Sequence, residues 1–64
     1  MSKTIIRAYA SDEALKNVEE DLIATGIEQE QILIDKDTRR VRVVVPATAE
    51  PEIVEILERH KPVG

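Results

Sequence analysis

The stretch ILIDKDTRRVRVVV, from Ile32 to Val45, decides the fold because two β-branched runs flank a turn-forming segment. Branched aliphatic residues favour strands, whereas aspartate and threonine favour turns. The pattern predicts a β-hairpin with strands at Ile32 to Ile34 and Arg40 to Val45, around a turn at Asp35 to Thr38. Alternation along the second strand places three valines on one face, which we expect to lie under helices: Val41, Val43 and Val45.

Helix signals precede the hairpin. Ser11 is a good N-cap residue, and apolar residues recur at helical spacing from Leu15 to Leu22. Gly26 can adopt the left-handed conformation that ends many helices. These features predict a first helix over about Asp12 to Thr25, preceded by a short strand from Thr4 to Ala10.

A second helix is predicted after the hairpin. Thr48 or Glu50 can cap it, and Pro51 fits its first turn, where no amide partner is required. Its buried stripe is predicted to consist of Ile53, Ile56 and Leu57.

The element order is therefore βαββα, within one domain covering residues 1–64. We expect an α+β two-layer sandwich in which both helices lie on one face of a three-stranded sheet. The valine-rich third strand is predicted to be central, giving the order 1-3-2, with the first strand parallel to it in a mixed sheet. This arrangement resembles a ferredoxin-like split βαβ unit that lacks its last strand. The first strand then has an open edge unless a chain terminus or a partner pairs with it.

The predicted core is small and aliphatic. The chain has 64 residues, one aromatic residue and no cysteine. Disulfides and cysteine metal sites are therefore excluded, and such a short chain buries only about 60% of the surface that its unfolded form exposes. Association is the remaining means of stabilisation, so we expect a homodimer without a cofactor or a bound metal.

The charge balance limits the partners. The net charge is −4 and the isoelectric point about 4.9, which argues against general affinity for nucleic acid or anionic membranes. No apolar run approaches the roughly 20 residues that span a bilayer, and the first residues do not open a signal-peptide pattern. We therefore expect a cytoplasmic protein.

The sheet face without helices is the most informative predicted surface. Alternation assigns seven residues to it: Ile5, Arg7, Tyr9, Leu33, Arg40, Arg42 and Val44. Branched aliphatic residues rimmed by arginine and tyrosine are typical of protein interfaces. We predict that this face, or the open edge of the first strand, mediates self-association or binds a protein partner, by face packing, strand pairing or exchange of a terminal element. The alternative is that these are scattered exposed aliphatic residues, which are normal on protein surfaces.

Two binding functions fit the sequence less well. An RNA-binding sheet presents two or three aromatic residues, whereas this chain has Tyr9 alone. Asp35 and Asp37 are spaced as in some calcium loops, but the glycine and the terminal glutamate of such loops are missing. We expect these aspartates to bond amides of the hairpin turn instead.

No catalytic residue is predicted. His60 is the one candidate general base, since its ordinary pKa lies near neutrality. It lies in the last turn of the second helix, where we expect it to interact with the helix dipole and with Glu55 or Glu58. The chain has no glycine-rich phosphate loop. We interpret it as a non-enzymatic protein.

The stretch IRAYASDEALKNVEEDLIATGIEQEQILI, from Ile6 to Ile34, resembles the opening of the heat-induced or general stress protein modules of bacteria. In those modules a short strand leads to a Ser/Asp-capped helix, a glycine with a following aliphatic residue, a polar connector and a second short strand. The resemblance implies a small stress-associated module without known catalysis. It implies no functional residue for this chain.

A small-molecule sensor is the alternative function. The order of strands and helices is similar to that of ACT-type regulatory domains, which have one more strand and bind ligands between paired sheets. Those sites favour glycine-containing turns, and the turn from Tyr9 to Asp12 has no glycine. An interaction module is therefore our first prediction.

Overall fold

The computed structural model describes residues 1–63, where three strands and two helices follow one another in the predicted order βαββα. Their bounds are Ser2–Ala8 for β1, Asp12–Thr25 for α1, Ile32–Asp35 for β2, Arg40–Pro46 for β3 and Glu50–Arg59 for α2. The predicted α+β fold class is confirmed, and α1 has its predicted bounds. β1 lies two residues earlier in the chain than predicted.

β3 is the central strand of the sheet, and the order β1-β3-β2 is the predicted one. Both neighbours pair with β3 in the antiparallel sense, so the prediction of a mixed sheet with the first strand parallel to the third is wrong. The crossover through α1 leaves β1 and β2 running in the same direction with a gap between them. The tight hairpin then reverses the chain, so β3 fills that gap antiparallel to both.

The ends of α1 have the capping contacts that the sequence predicts. The Ser11 Oγ accepts a hydrogen bond from the Ala14 amide at 3.1 Å. At the other end Gly26 has a φ of 117°, and the Ile27 amide donates to the Leu22 carbonyl at 3.0 Å. These contacts end α1 and fold Ile27 back against the core.

α2 begins differently from the prediction. Its N-cap residue is Ala49 rather than Thr48 or Glu50. A short 3-10 turn, Ala47–Ala49, leads directly into the helix, and the Glu50 amide donates to the Ala47 carbonyl. The turn therefore gives the first amide of α2 a backbone acceptor, and Pro51 has no amide hydrogen that needs one.

Both helices pack on one face of the sheet, as predicted, and bury an aliphatic core against it. The core side chains are Ile5, Tyr9, Leu15, Val18, Leu22, Ile32, Val41, Val43, Val45, Ile53, Ile56 and Leu57. They include the three predicted valines of β3 and the predicted stripe of α2. No helix within residues 1–63 covers the opposite face.

The register between β1 and β3 decides which residues of β1 lie under the helices. Residues directly opposite on antiparallel strands share a face. Ile5 pairs with the buried Val43, and Ile6 pairs with Arg42, so the predicted faces of β1 are reversed. The residues wrongly assigned to the helix-free face are Ile5, Arg7 and Tyr9. Alternation alone could not decide, because aliphatic residues occupy two adjacent positions.

The hairpin turn is closed by Asp35. Its Oδ1 accepts hydrogen bonds from the Asp37 amide at 3.0 Å and the Thr38 amide at 3.4 Å. Arg39 then adopts a left-handed φ of 54° before the chain enters β3. The predicted use of Asp35 to bond amides of the turn is confirmed.

The segment after α2 returns to β1. Lys61 has a left-handed φ of 57° just past the helix. The Val63 amide then donates to the Ala8 carbonyl at 2.8 Å, in an isolated antiparallel bridge. The outer edge of β1 is therefore paired at its last residue, and Ser2 to Ile6 have no strand partner on that edge within residues 1–63.

Candidate interaction surface

The helix-free face of the sheet, called the open face below, consists of alternate residues from all three strands. Its members are Thr4, Ile6, Ala8, Leu33, Asp35, Arg40, Arg42 and Val44, each opposite another member on a neighbouring strand. Four of the seven residues predicted for this surface lie on it: Leu33, Arg40, Arg42 and Val44. Ile6 was not among the seven predicted residues, because only the register with β3 places it on this face.

Arg42 lies at the centre of the open face, between Ile6 of β1 and Leu33 of β2. Ile6 is 46% exposed and Leu33 is 57% exposed. Val44, two residues along β3, is 36% exposed. An arginine packs its aliphatic stem on such neighbours while its guanidinium stays in water. The result is an apolar patch around one cation, a composition typical of protein interfaces.

Charge is unevenly distributed between the two sides of the molecule. α1 and α2 carry nine of the 13 acidic residues. The open face has Arg40, Arg42 and a single carboxylate, Asp35. Within residues 1–63 no ion pair involves either arginine. The open face is therefore a cationic side of a molecule whose net charge is −4.

A depression of about 310 Å³ lies on the open face beside the hairpin turn. Ile6 and Leu33 supply apolar walls, and Arg40 and Arg42 supply guanidinium groups. These groups suit an apolar side chain with a neighbouring carboxylate. They suit a nucleic-acid base less well, because the chain's one aromatic residue, Tyr9, is buried on the other side of the sheet.

Tyr9 joins the sheet to the end of α2. It is 2% exposed, and its hydroxyl donates a hydrogen bond to the Leu57 carbonyl at 2.7 Å. Burial, and then the nearby Glu58 carboxylate, raises the pKa of Tyr9 to about 12 against the opposing effect of Arg7. The Arg7 Nε lies 3.7 Å from the Glu58 Oε1. Tyr9 and Arg7 therefore stabilise the contact between β1 and α2.

Replacing Tyr9 with phenylalanine is expected to change how stability depends on pH. Because the folded-state pKa is raised, Tyr9 contributes stability that is fully present below the ordinary value of 10.0 and is lost as the pH rises through about 12. In urea denaturation the wild type should lose stability above pH 10 more steeply than Tyr9→Phe. At pH 7 the variant should be less stable by about 1 kcal/mol, for lack of the hydrogen bond. Parallel pH profiles would contradict this role of the hydroxyl.

His60 joins the ends of the two helices. Its Nε2 lies 2.9 Å from the Asp21 Oδ2, and the Arg59 Nη1 lies 3.8 Å from the same oxygen. The prediction that Glu55 or Glu58 pairs with His60 is therefore wrong. α1 packs beside α2, which brings a partly buried carboxylate closer to the imidazole than the exposed glutamates of its own helix.

A second cavity, of about 660 Å³, lies between the start of α1 and the hairpin. Leu15 and Ile34 form its apolar part, and charged residues of both signs surround it: Asp12, Glu13, Lys16, Glu19 and Lys36. Within residues 1–63 no group of three or more histidine, cysteine, aspartate or glutamate side chains is placed to hold a metal ion. Neither helix of the described residues combines the length and apolar character needed to cross a membrane.

Comparisons with protein-family models, with curated proteins and with solved structures find no match for this chain. The resemblance of its first half to bacterial stress protein modules stays a prediction. The open face is therefore interpreted from its own geometry and charge.

Proposed function

We propose that this chain is a small non-enzymatic interaction module that self-associates through its open face. The observation that carries the proposal is the group of exposed aliphatic side chains around Arg42, formed by Ile6, Leu33 and Val44. A cytoplasmic, stress-associated role belongs to the same proposal and rests on the sequence alone.

Burial of these side chains is the proposed driving force. Moving a valine, leucine or isoleucine side chain from full exposure to full burial contributes roughly 1.5–3 kcal/mol. Ile6, Leu33 and Val44 are 36–57% exposed, so each contributes about half of that amount. In a two-fold contact each copy contributes the same surface, so the three side chains count twice. A domain with a core of only twelve side chains gains a large fraction of its stability from such a contact.

The charges of the open face are compatible with a second copy. Asp35 lies directly opposite Arg40 on the neighbouring strand, so both signs of charge occur at one end of the face. Two-fold packing can set an arginine of one copy against Asp35 of the other. The acidic outer surfaces of the helices stay in water in this arrangement.

The test is the solution mass of the wild type and of Leu33→Asp, measured by sedimentation over a concentration series. Leu33 is more than half exposed, so the aspartate is tolerated by the monomer but has to be desolvated in the contact. Ile23→Asp is the matched control, because Ile23 is an exposed aliphatic residue of α1. We expect a lower mass for Leu33→Asp than for the wild type and Ile23→Asp at the same concentration. Equal masses for the two variants, or a monomeric wild type at high micromolar concentration, would overturn the proposal.

A further inference from the structure

We propose that two copies also pair through the outer edges of β1, antiparallel about Thr4, to form one continuous six-stranded sheet. This inference rests on the proposed self-association and adds a second contact to it. The edge contact uses backbone groups of β1, whereas the open-face contact uses side chains, which include those of Thr4 and Ile6.

The backbone of β1 shows which of its groups are available. The Ala8 carbonyl faces outward, because it accepts from Val63, whereas the next amide, that of Tyr9, donates inward to the Arg39 carbonyl at 2.8 Å. Strand alternation therefore turns the amides and carbonyls of three further residues outward: Ser2, Thr4 and Ile6. No strand within residues 1–63 pairs with this part of the edge.

The outward-facing groups match those of a second copy. When Thr4 lies opposite Thr4 of the second copy, Ser2 lies opposite Ile6 in both directions. Each of the three pairs can exchange two backbone hydrogen bonds, about six in total. Four of these use groups without another partner, and two use the Ile6 carbonyls, each of which also accepts a hydrogen bond from the Arg7 Nη1 at 2.8 Å. The Val63 bridge lies at Ala8, beyond the paired segment, so it stays in place.

Charge complementarity favours a second copy as the occupant. Lys3 lies on the helix side of β1 and has no ion pair within residues 1–63. In this register it lies opposite Ile5 of the second copy, beside that copy's α2. α2 packs on β1 and carries four glutamates against one arginine. Each Lys3 therefore approaches an acidic helix of the other copy.

The edge also lacks most of the features that prevent strand pairing. Proteins block exposed edges with proline, bulges, charged side chains or a covering segment. Between Ser2 and Ile6 there is no proline, and the register with β3 is continuous without a bulge. Lys3 is the one charged residue in this segment, and its side chain is turned to the helix side. The adjacent Arg7 is the charged side chain that reaches the edge, where its Nη1 donates to the Ile6 carbonyl at 2.8 Å.

A single cysteine tests this register, because the chain has none of its own. Thr4→Cys places two thiols opposite each other at the two-fold axis, with Cα atoms about 5.5 Å apart, a distance that a disulfide spans. Ser2→Cys is the matched control, because Ile6 belongs to the proposed open-face contact. In the proposed register the control thiol is offset from its copy by four residues, roughly 13 Å along the strand.

Under mild oxidation at high micromolar concentration, we expect Thr4→Cys to form a covalent dimer about tenfold faster than Ser2→Cys, because pairing raises the effective thiol concentration to the millimolar range. Equal rates in the two variants would overturn the inference. Repeating the experiment in a Leu33→Asp background separates the two proposals. Preferential cross-linking that persists there supports the edge contact without the open face. If the Leu33→Asp substitution lowers the solution mass but Thr4→Cys shows no preferential cross-linking, the edge contact is overturned and the proposed function stands.

Discussion

Replacing Ile5 with alanine is expected to unfold most of the protein, whereas the same change at the neighbouring Ile6 is expected to leave it folded. Ile5 is 4% exposed in the core, and Ile6 is 46% exposed on the open face. Truncating a buried isoleucine to alanine costs about 2–5 kcal/mol, which is much of the stability of a domain this small. Truncating an exposed one usually costs within about 0.5 kcal/mol.

Urea denaturation followed by circular dichroism measures both variants, and each serves as the control for the other. Similar denaturation midpoints would contradict the register between β1 and β3. A greater loss of stability in the Ile6 variant would instead support the faces predicted from the sequence, in which Ile6 lies under the helices.

Successive backbone amides of β1 face β3 and the outer edge in turn, and proline substitution is expected to show this alternation. Lys3 and Thr4 both have exposed side chains. The Lys3 amide faces β3, where Lys3 pairs with Val45, and the Thr4 amide faces outward. Lys3→Pro removes a hydrogen bond of the sheet and leaves an acceptor unpaired, at a cost of about 2–3 kcal/mol. Thr4→Pro lies at an edge position that tolerates proline.

Thermal denaturation of the two proline variants at low concentration compares them as monomers. We expect a clearly lower melting temperature for Lys3→Pro than for Thr4→Pro. Equal melting temperatures, or the opposite order, would contradict the outward direction of the Thr4 amide and with it the edge contact.

The elements of the fold were predictable because their signals are local. Ser11 and Gly26 mark the two ends of α1, and the capping contacts at both residues are those expected. Val41, Val43 and Val45 share one face of β3, whereas the other face has two arginines and Val44, so the buried face follows from the sequence. The hairpin turn likewise depends on Asp35 and the residues next to it.

The direction and the faces of β1 were not predictable from the strand itself. Ile5 and Ile6 are adjacent, so either face of β1 can be the apolar one until the strand is paired with β3. The partner of His60 was also missed, because Asp21 belongs to another helix and lies 39 residues away in the chain. Both errors concern contacts between elements distant in sequence, which local patterns do not specify.

Only part of the open face was predicted, because its β1 members depend on a contact between elements distant in sequence. Its β2 and β3 members follow from the hairpin, whose register is set by a short turn. Its β1 members depend on a pairing across more than 30 residues of chain. The observed surface contains Ile6 in place of the predicted Ile5. It is more compact than the predicted surface, because Ile6 and Leu33 lie directly on either side of Arg42.

The most direct test of self-association is the sedimentation mass of the wild type from low to high micromolar concentration. We expect a mass that rises with concentration from the 7.2 kDa of one chain to at least twice that value. A mass that stays at 7.2 kDa throughout would contradict both the open-face contact and the edge contact.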